Sequence, residues 1–386
     1  MNRRMRIRTA WAAAGVVFLL AASGRAEDFA WTTRNGAATL SKYSGPGGAV
    51  EIPAQANGLP VVGIGPGAFQ DAFKLASVKI PDGVVEIGEQ AFAYCSGLTN
   101  VAIGAGVARI GDWAFRGCAK LAAIQVHPRN VSYGSADGVL YDKGFRVLIQ
   151  CPARKAGSVA IPTGVVEIAK EAFAHCAGLT NVSIPEGVVR IGDWAFDRAG
   201  IPAIALPDTV AQIGEGAFSG CDKLAGIAMG AGVVRIGPRA FERTALAGIA
   251  MSNRVAEIGA WAFYSCLRLK KIALPESLAR IEPRTFFNCT ALAMATVPRK
   301  VESVGEWAFG ECPALTAVYF KGTPPAAEPD VYGGTLNVTN YHLAGVAGWG
   351  SAFAERPTAI GAPPIPTNAP MRAATNAPIP TRGLRR

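Results

Sequence analysis

The stretch LTNVAIGAGVARIGDWAFRG at residues 98–117 decides the fold, together with its near-copy LTNVSIPEGVVRIGDWAF at residues 179–196. Each copy reads as two halves. In L-x-x-V-x-I, apolar residues alternate with small or polar ones, the period-2 pattern of a strand with one buried face. The half V-x-x-I-G-x-x-A-F then crosses to the other side of a coil. Its Gly permits a tight turn, and its Phe is placed to fill the interior. Phe recurs at this phase ten times, as Phe69, Phe92, Phe115, Phe173, Phe196, Phe218, Phe241, Phe263, Phe286 and Phe309. The gaps are 23, 23, 58, 23, 22, 23, 22, 23 and 23 residues. A period this regular means a solenoid. One unit is too small to bury its own apolar face and is stable only when stacked on its neighbours.

Stacking turns each repeat position into a column. The strand-ending column runs Ile80, Ile103, Val126, Ile161, Ile184, Leu206, Met229, Met251, Leu274, Val297 and Phe320, with Ile52 as an earlier rung. Proline follows many of these positions and stops the strand, since it cannot donate to the ladder. A short helical or 3₁₀ turn is expected around each Ala-Phe. The motif I-G-x-x-A-F-x-x-C-x-x-L is carried by Ile87-Gly88, Ala91-Phe92, Cys95 and Leu98, and then recurs. It resembles the signature of the BspA-like leucine-rich repeat family, also called the treponemal or LRR_5 type, over roughly residues 50 to 320. The resemblance implies a mainly β repeat solenoid, a right-handed coil with one β-strand and a short helical or turn segment per 22–23-residue repeat. It also implies similarity to bacterial surface antigens that attach to host proteins or to other cells.

Composition narrows the class. Half of the 386 residues are hydrophobic and only 17% are charged, which argues against a disordered chain. The formal net charge of +10 comes entirely from the ends, with five arginines in the first 26 residues and five in the last 31, and no acid in either. The body between them is neutral and has no basic stripe to neutralise phosphates, so no nucleic acid is expected as partner. Residues 1–26 read as a secretory signal: Arg3 to Arg8 form the charged region, Ala10 to Ala22 the short apolar region, and cleavage is expected after Ala26. No later segment is long enough to span a membrane as a helix.

The remaining boundaries follow from the repeat. Residues 27–60 are expected to form an N-terminal cap, 61–320 the leucine-rich repeat solenoid, 321–356 a C-terminal cap module, and 357–386 a disordered Pro-, Ala-, Thr- and Arg-rich tail. The long gap marks an enlarged repeat at 127–160, with a hairpin turning at Asp142-Lys143-Gly144 and protruding from the stack. Seven of the eight cysteines stand three residues after the repeat Phe, and Ala72, Ala199 and Thr244 take that slot elsewhere. A slot that accepts Cys, Ala or Thr wants a small side chain, so buried free thiols are expected there. Cys151 stands outside the column.

Two columns bear on interaction. The residue before the second-half Ile reads Glu86, Arg109, Glu167, Arg190, Gln212, Arg235, Glu257, Arg280 and Ser303, an alternation expected to form a surface ladder of ion pairs that includes Glu257 with Arg280. The column before Ala-Phe carries Trp113, Trp194, Trp261 and Trp307, suited to stack on sugars or anchor a protein, or to lie over the next repeat and shield core. The outward strand face is small-sided, and only Lys270 and Lys271 stand out on it. With Tyr141 and Phe145 of the insert, these residues form the candidate interaction surface. No catalytic, phosphate-binding or metal motif occurs, the three histidines are scattered, and no cofactor is expected. The reading is an exported, non-catalytic protein that mediates protein–protein or cell-surface adhesion through a protein or glycan ligand. Two alternatives stand beside it: a self-associating structural component of the envelope, and a glycan-active or glycan-binding accessory protein.

Overall fold

A computed structural model describes residues 26–361. The signal expected at 1–26 therefore lies outside the described residues but for its last position, as does the expected tail from 362 onward. The described chain winds through about 13 turns of a β-solenoid, and its sole helix is a 3₁₀ turn at Ala26–Asp28.

One row of parallel strands carries the L-x-x-V-x-I halves. Leu75–Lys79, Asn100–Ile103 and Ala123–Val126 pair so that Val78, Val101 and Ile124 stand in register, all buried. Between them, Lys79 points outward, as strand alternation requires. A second row of two-residue strands carries the other half, with Ile168, Ile191, Ile213, Ile236 and Ile258 in register. The glycine that follows this Ile in most repeats is a close-approach residue. A Cβ on Gly88 would sit 2.6 Å from the backbone nitrogen of Pro66 in the preceding coil, and one on Gly111 would sit 2.5 Å from that of Glu89.

The ten Phe rings lie between the rows, all buried, and stack along the axis with centroids 4.8 Å apart for Phe173–Phe196 and 5.5 Å for Phe218–Phe241. That spacing matches the roughly 4.8 Å between neighbouring strands, so ring contact and backbone pairing are satisfied together.

No helix forms around Ala-Phe, which corrects the expectation of a helical turn. The residues two before and two after each of the ten Phe have positive φ; around Phe196 these are Trp194 at 56° and Arg198 at 53°. This left-handed geometry turns alternate N–H groups along the solenoid axis. The N–H groups of Gly67, Phe69 and Asp71 donate to the carbonyls of Glu89, Ala91 and Ala93 one coil on, while those of Ala68, Gln70 and Ala72 close short local links. A helix would spend every N–H within itself and leave the coils unjoined along this edge. Each left-handed non-glycine residue costs about 1–2 kcal/mol. The inter-coil hydrogen bonds, at about 1 kcal/mol net each, offset much of that cost.

The enlarged repeat does not protrude. Its strands Tyr133–Ala136, Val139–Asp142 and Val147–Gln150 run antiparallel, and the last continues the second row by pairing parallel with Glu167–Ile168. Asp142 fixes the hairpin, its Oδ1 accepting the N–H groups of Arg146 and Val147 at 2.7 Å each. Val139, Leu140 and Tyr141 are all buried, because the strand that holds them stands across the interior. Leu140 belongs to the apolar cluster on the N-terminal side, and Val139 and Tyr141 to the cluster on the C-terminal side. Both strand rows and the ring stack are interrupted here, between Phe115 and Phe173. The consecutive apolar triplet is the signature of a strand buried on both faces.

The coil also extends beyond the ten Phe. Tyr43 stacks on Phe69 at 4.9 Å, and Tyr332 on Phe309 at 6.0 Å. Tyr332 follows Phe309 by the usual 23 residues, and Ala326–Ala327 pairs parallel with Ser303–Val304. Tyrosine suits the last ring position because its hydroxyl reaches a partner, donating to Asn340 Oδ1 at 2.6 Å. Coil geometry thus continues into the segment expected to be a separate cap. Arg356–Ile360, where the tail was expected to begin, forms a strand paired with Thr339–His342.

Candidate functional site

The solenoid presents three long faces. The strand face is flat: Ala160, Ser183, Ala205, Ala228, Ala250 and Ala273 are exposed along one column, and Lys270 and Lys271 stand out from it. The second row carries the charge ladder. Arg109 pairs with Glu86 at 2.6 Å, Arg190 with Glu167 at 3.9 Å, and Arg235 with Glu257 at 3.2 Å. The expected pair of Glu257 with Arg280 does not form. Strands Glu257–Ile258 and Arg280–Ile281 are not paired, and Glu282, standing where most other repeats have Gly, takes Arg280 at 3.7 Å. These pairs are exposed and contribute about 0–1 kcal/mol each.

All eight cysteines are buried and free. Where their slot holds Cys rather than Ala, the thiol serves as a donor as well as filling a small volume. Cys95, Cys221, Cys266 and Cys312 point Sγ at the carbonyls of Phe69, Phe196, Phe241 and Phe286 at 3.0, 2.9, 3.1 and 3.2 Å. Thr335 makes the same bond to Phe309 at 2.7 Å. Cys176 departs from the pattern because the insert replaces its preceding coil, and it faces the Pro152 carbonyl at 3.6 Å. Burial pushes the thiols of Cys221 and Cys312 up to about 12 and that of Cys266 to about 11. They are structural groups, poor nucleophiles at neutral pH.

The turn edge, built from the Ala-Phe segments, is where large polar and aromatic side chains gather. An open trough of about 700 Å³ runs along it from Trp113 to Arg243. Three of its four acids are recessed: the side chains of Glu171, Asp197 and Glu242 are 16%, 19% and 8% exposed, against 42% for Arg116 and 63% for Arg243, while Asp222 is exposed. Glu242 holds Arg239 at 3.1 Å and Arg243 at 3.8 Å. Burial raises the carboxyl of Asp197 above its ordinary range, opposed by His175 and Arg198 nearby. The charge exposed to solvent is therefore mainly positive, with Arg116, Lys170, Arg198, Lys223 and Arg243 against Asp222.

The four tryptophans are half-buried, and each lies over the following coil. Trp113 donates Nε1–H to Glu171 at 2.8 Å, with Lys170 4.4 Å and Arg116 5.8 Å from its ring centre. Trp194 lies on Gly216, where an added Cβ would fall inside the van der Waals surface of the ring. Trp261 is held between Arg239 at 5.2 Å and Arg284 at 5.0 Å, and meets Tyr264 edge-on at 5.0 Å. Trp307 meets Phe287 edge-on at 5.7 Å. Trp113 and Trp194 share the trough, and Trp261 and Trp307 continue the same edge.

The insert residues do not join them. Tyr141 is 2% exposed, inside the wall between the two clusters, so it is not a surface residue. Phe145 is half-buried and stacks on Tyr141 at 4.9 Å. The trough cations Lys170, Arg198, Lys223, Arg239 and Arg243 were not among the expected residues. Arg198 and Arg243 share the column two residues after Phe, and that column was the available signal. Among the described residues, no cluster of three His, Cys, Asp or Glu is placed to hold a metal, and no helix is long and apolar enough to cross a membrane.

The family described as "BspA type Leucine rich repeat region" matches in six copies, over residues 62–136, 153–258 and 226–337. Among solved structures, the chain is similar to a leucine rich cell surface protein from Faecalibacterium prausnitzii A2-165, with 25% identity, a TM-score of 0.52, and coverage of 83% of this chain and 94% of that one. It shares its fold with a leucine-rich repeat protein from Eubacterium ventriosum ATCC 27560, at 22% identity and a TM-score of 0.57, covering 74% of this chain and 92% of that one. No curated protein matches. The repeat period, the stacked ring column and these matches agree, and the chain belongs to the BspA type leucine-rich repeat family.

Proposed function

We propose that this protein is an exported, non-catalytic recognition solenoid of the cell surface that engages a protein partner through its turn edge. The observation that carries this reading is the contrast between faces. The strand face is tiled with small side chains, whereas the turn edge sets tryptophans and arginines around an open trough. Trp and Arg are the side chains that dominate protein interfaces. Family membership and the similar cell surface protein support the surface assignment, and export rests on the signal-like residues 1–26.

The test is binding of the full chain to an array of extracellular-matrix and bacterial surface proteins. Replacing Trp194 and Trp261 together with alanine abolishes capture in this reading, while replacing Lys270 and Lys271 leaves it intact. The reverse result moves the interface to the strand face and refutes the proposal. A second reading, self-association, is favoured by the uninterrupted Ala and Ser column from Ala160 to Ala273. Sedimentation equilibrium showing a dimer that Ala228→Arg dissociates would establish it instead.

A further inference from the structure

We propose that the trough between Trp113 and Arg243 binds an extended acidic segment of a polypeptide, gripping side-chain carboxylates along its rim. The inference deepens the reading of the turn edge as a protein-binding face, and rests on it.

Three observations carry it. The first is charge. Bases outnumber acids in the lining six to four; three of the acids, Glu171, Asp197 and Glu242, lie deep beside the more exposed Arg116 and Arg243, and the fourth, Asp222, stands exposed next to Lys223. Arg198 and Lys223 are exposed and, among the described residues, make no salt bridge, although Arg198 stands near Asp197, so each has donors to offer a ligand. Arginine binds carboxylate through two parallel hydrogen bonds, which adds geometric selectivity to attraction.

The second is spacing. Arg198 and Arg243 occupy the same position two coils apart, with the coil carrying Lys223 between them. Two coils at about 4.8 Å place these two cations on the order of 10 Å apart along the axis. A polyproline-II segment returns every third side chain to the same side after about 9 Å. Acidic residues three apart on such a segment meet Arg198 and Arg243 together.

The third observation separates peptide from sugar. Sugar recognition by tryptophan uses an open ring face. Here Trp113 is attended by Lys170 and Arg116, and Trp194 lies on Gly216. The rings are spent in holding the trough's shape, and the cations remain as its recognition groups. The recessed carboxylates of Glu242 and Asp197 complement this, since a peptide main chain supplies N–H donors to acids at the floor.

The experiment is fluorescence anisotropy with the full chain and a labelled peptide that repeats Glu-Pro-Ala. The same peptide with Gln for Glu, and polygalacturonate as an acidic glycan, are the comparison ligands. The Glu peptide binds, the Gln peptide does not, and added salt weakens binding because the contacts are exposed. Arg198→Glu and Lys223→Glu each weaken binding about tenfold or more. Lys271→Glu makes the same charge change on the strand face and changes binding less than about twofold. Equal binding by Arg198→Glu and Lys271→Glu overturns the proposal, as does capture of polygalacturonate without the peptide. If the peptide fails while the Trp194 and Trp261 substitutions still abolish partner capture, the turn edge remains the interface and this ligand chemistry is wrong.

Discussion

Replacing Phe218 with alanine tests whether the solenoid is held together ring by ring, and whether the insert divides it. The Phe218 ring is fully buried, 5.1 Å from Phe196 at an interplanar angle of 7° and 5.5 Å from Phe241 at 2°. Truncating a buried Phe costs about 3–5 kcal/mol, of which two ring contacts account for about 0.5–1.5 kcal/mol each. In a stack where each unit touches only its neighbours, that loss falls on the mutated coil and those beside it. At about 1.4 kcal/mol per tenfold, the amides of coils 173–263 exchange roughly two to three and a half orders of magnitude faster. The N-terminal coils lie beyond the Leu140–Tyr141 wall in a separate apolar cluster, and their protection at 48–126 stays as it was. The assay is native-state hydrogen exchange read by mass spectrometry on the full chain. Phe92→Ala gives the mirror-image pattern. An equal loss of protection on both sides of the wall in either variant would show one cooperative unit and refute the reasoning.

Other consequences follow from the same geometry. Burial raises the folded-state thiols of Cys221, Cys266 and Cys312 to about 11–12, whereas unfolded thiols ionise near about 8.5. Above that pH the unfolded chain binds fewer protons, so stability is fully present below about pH 8.5 and is lost as pH rises through 11–12. Denaturant titrations at stepped pH check this, and a flat profile contradicts it. In a double-mutant cycle, Arg235 with Glu257 couples by about 0–1 kcal/mol and falls with salt, while Glu257 with Arg280 gives no coupling; the opposite ranking is the failing result. Gly216→Ala puts a Cβ into the ring of Trp194 at a φ of 56°, costing about 1–2 kcal/mol from backbone strain alone. It also shifts Trp194 toward solvent, and unchanged tryptophan emission would show that the ring does not lie where described.

Much of the fold was legible because its repeat is written in single residues. Phe at one phase and Val and Ile in alternation describe a ring column and a one-sided strand, and the buried rings and the Val78–Val101–Ile124 register match. Less of the site was legible. The four tryptophans do lie on one edge, but the cations that give the trough its sign come from several columns, of which only the one two residues after Phe, with Arg198 and Arg243, offered a signal. Tyr141 was misplaced because an apolar triplet beside a turn reads equally as an exposed hairpin or a wall.

Period, ring column, strand phase and the small slot after each Phe were determined by the sequence alone, since each depends on residues a fixed distance apart along one chain. Three things were decided only by the tertiary structure: the left-handed turns that join coil to coil, the insert standing inside the stack, and the sinking of Glu171, Asp197 and Glu242 beneath the bases at the trough. Each depends on which way a backbone or side chain points toward groups remote in sequence. Hydrophobic periodicity records how often a residue faces inward, and is silent about the sign of φ and about what faces it there.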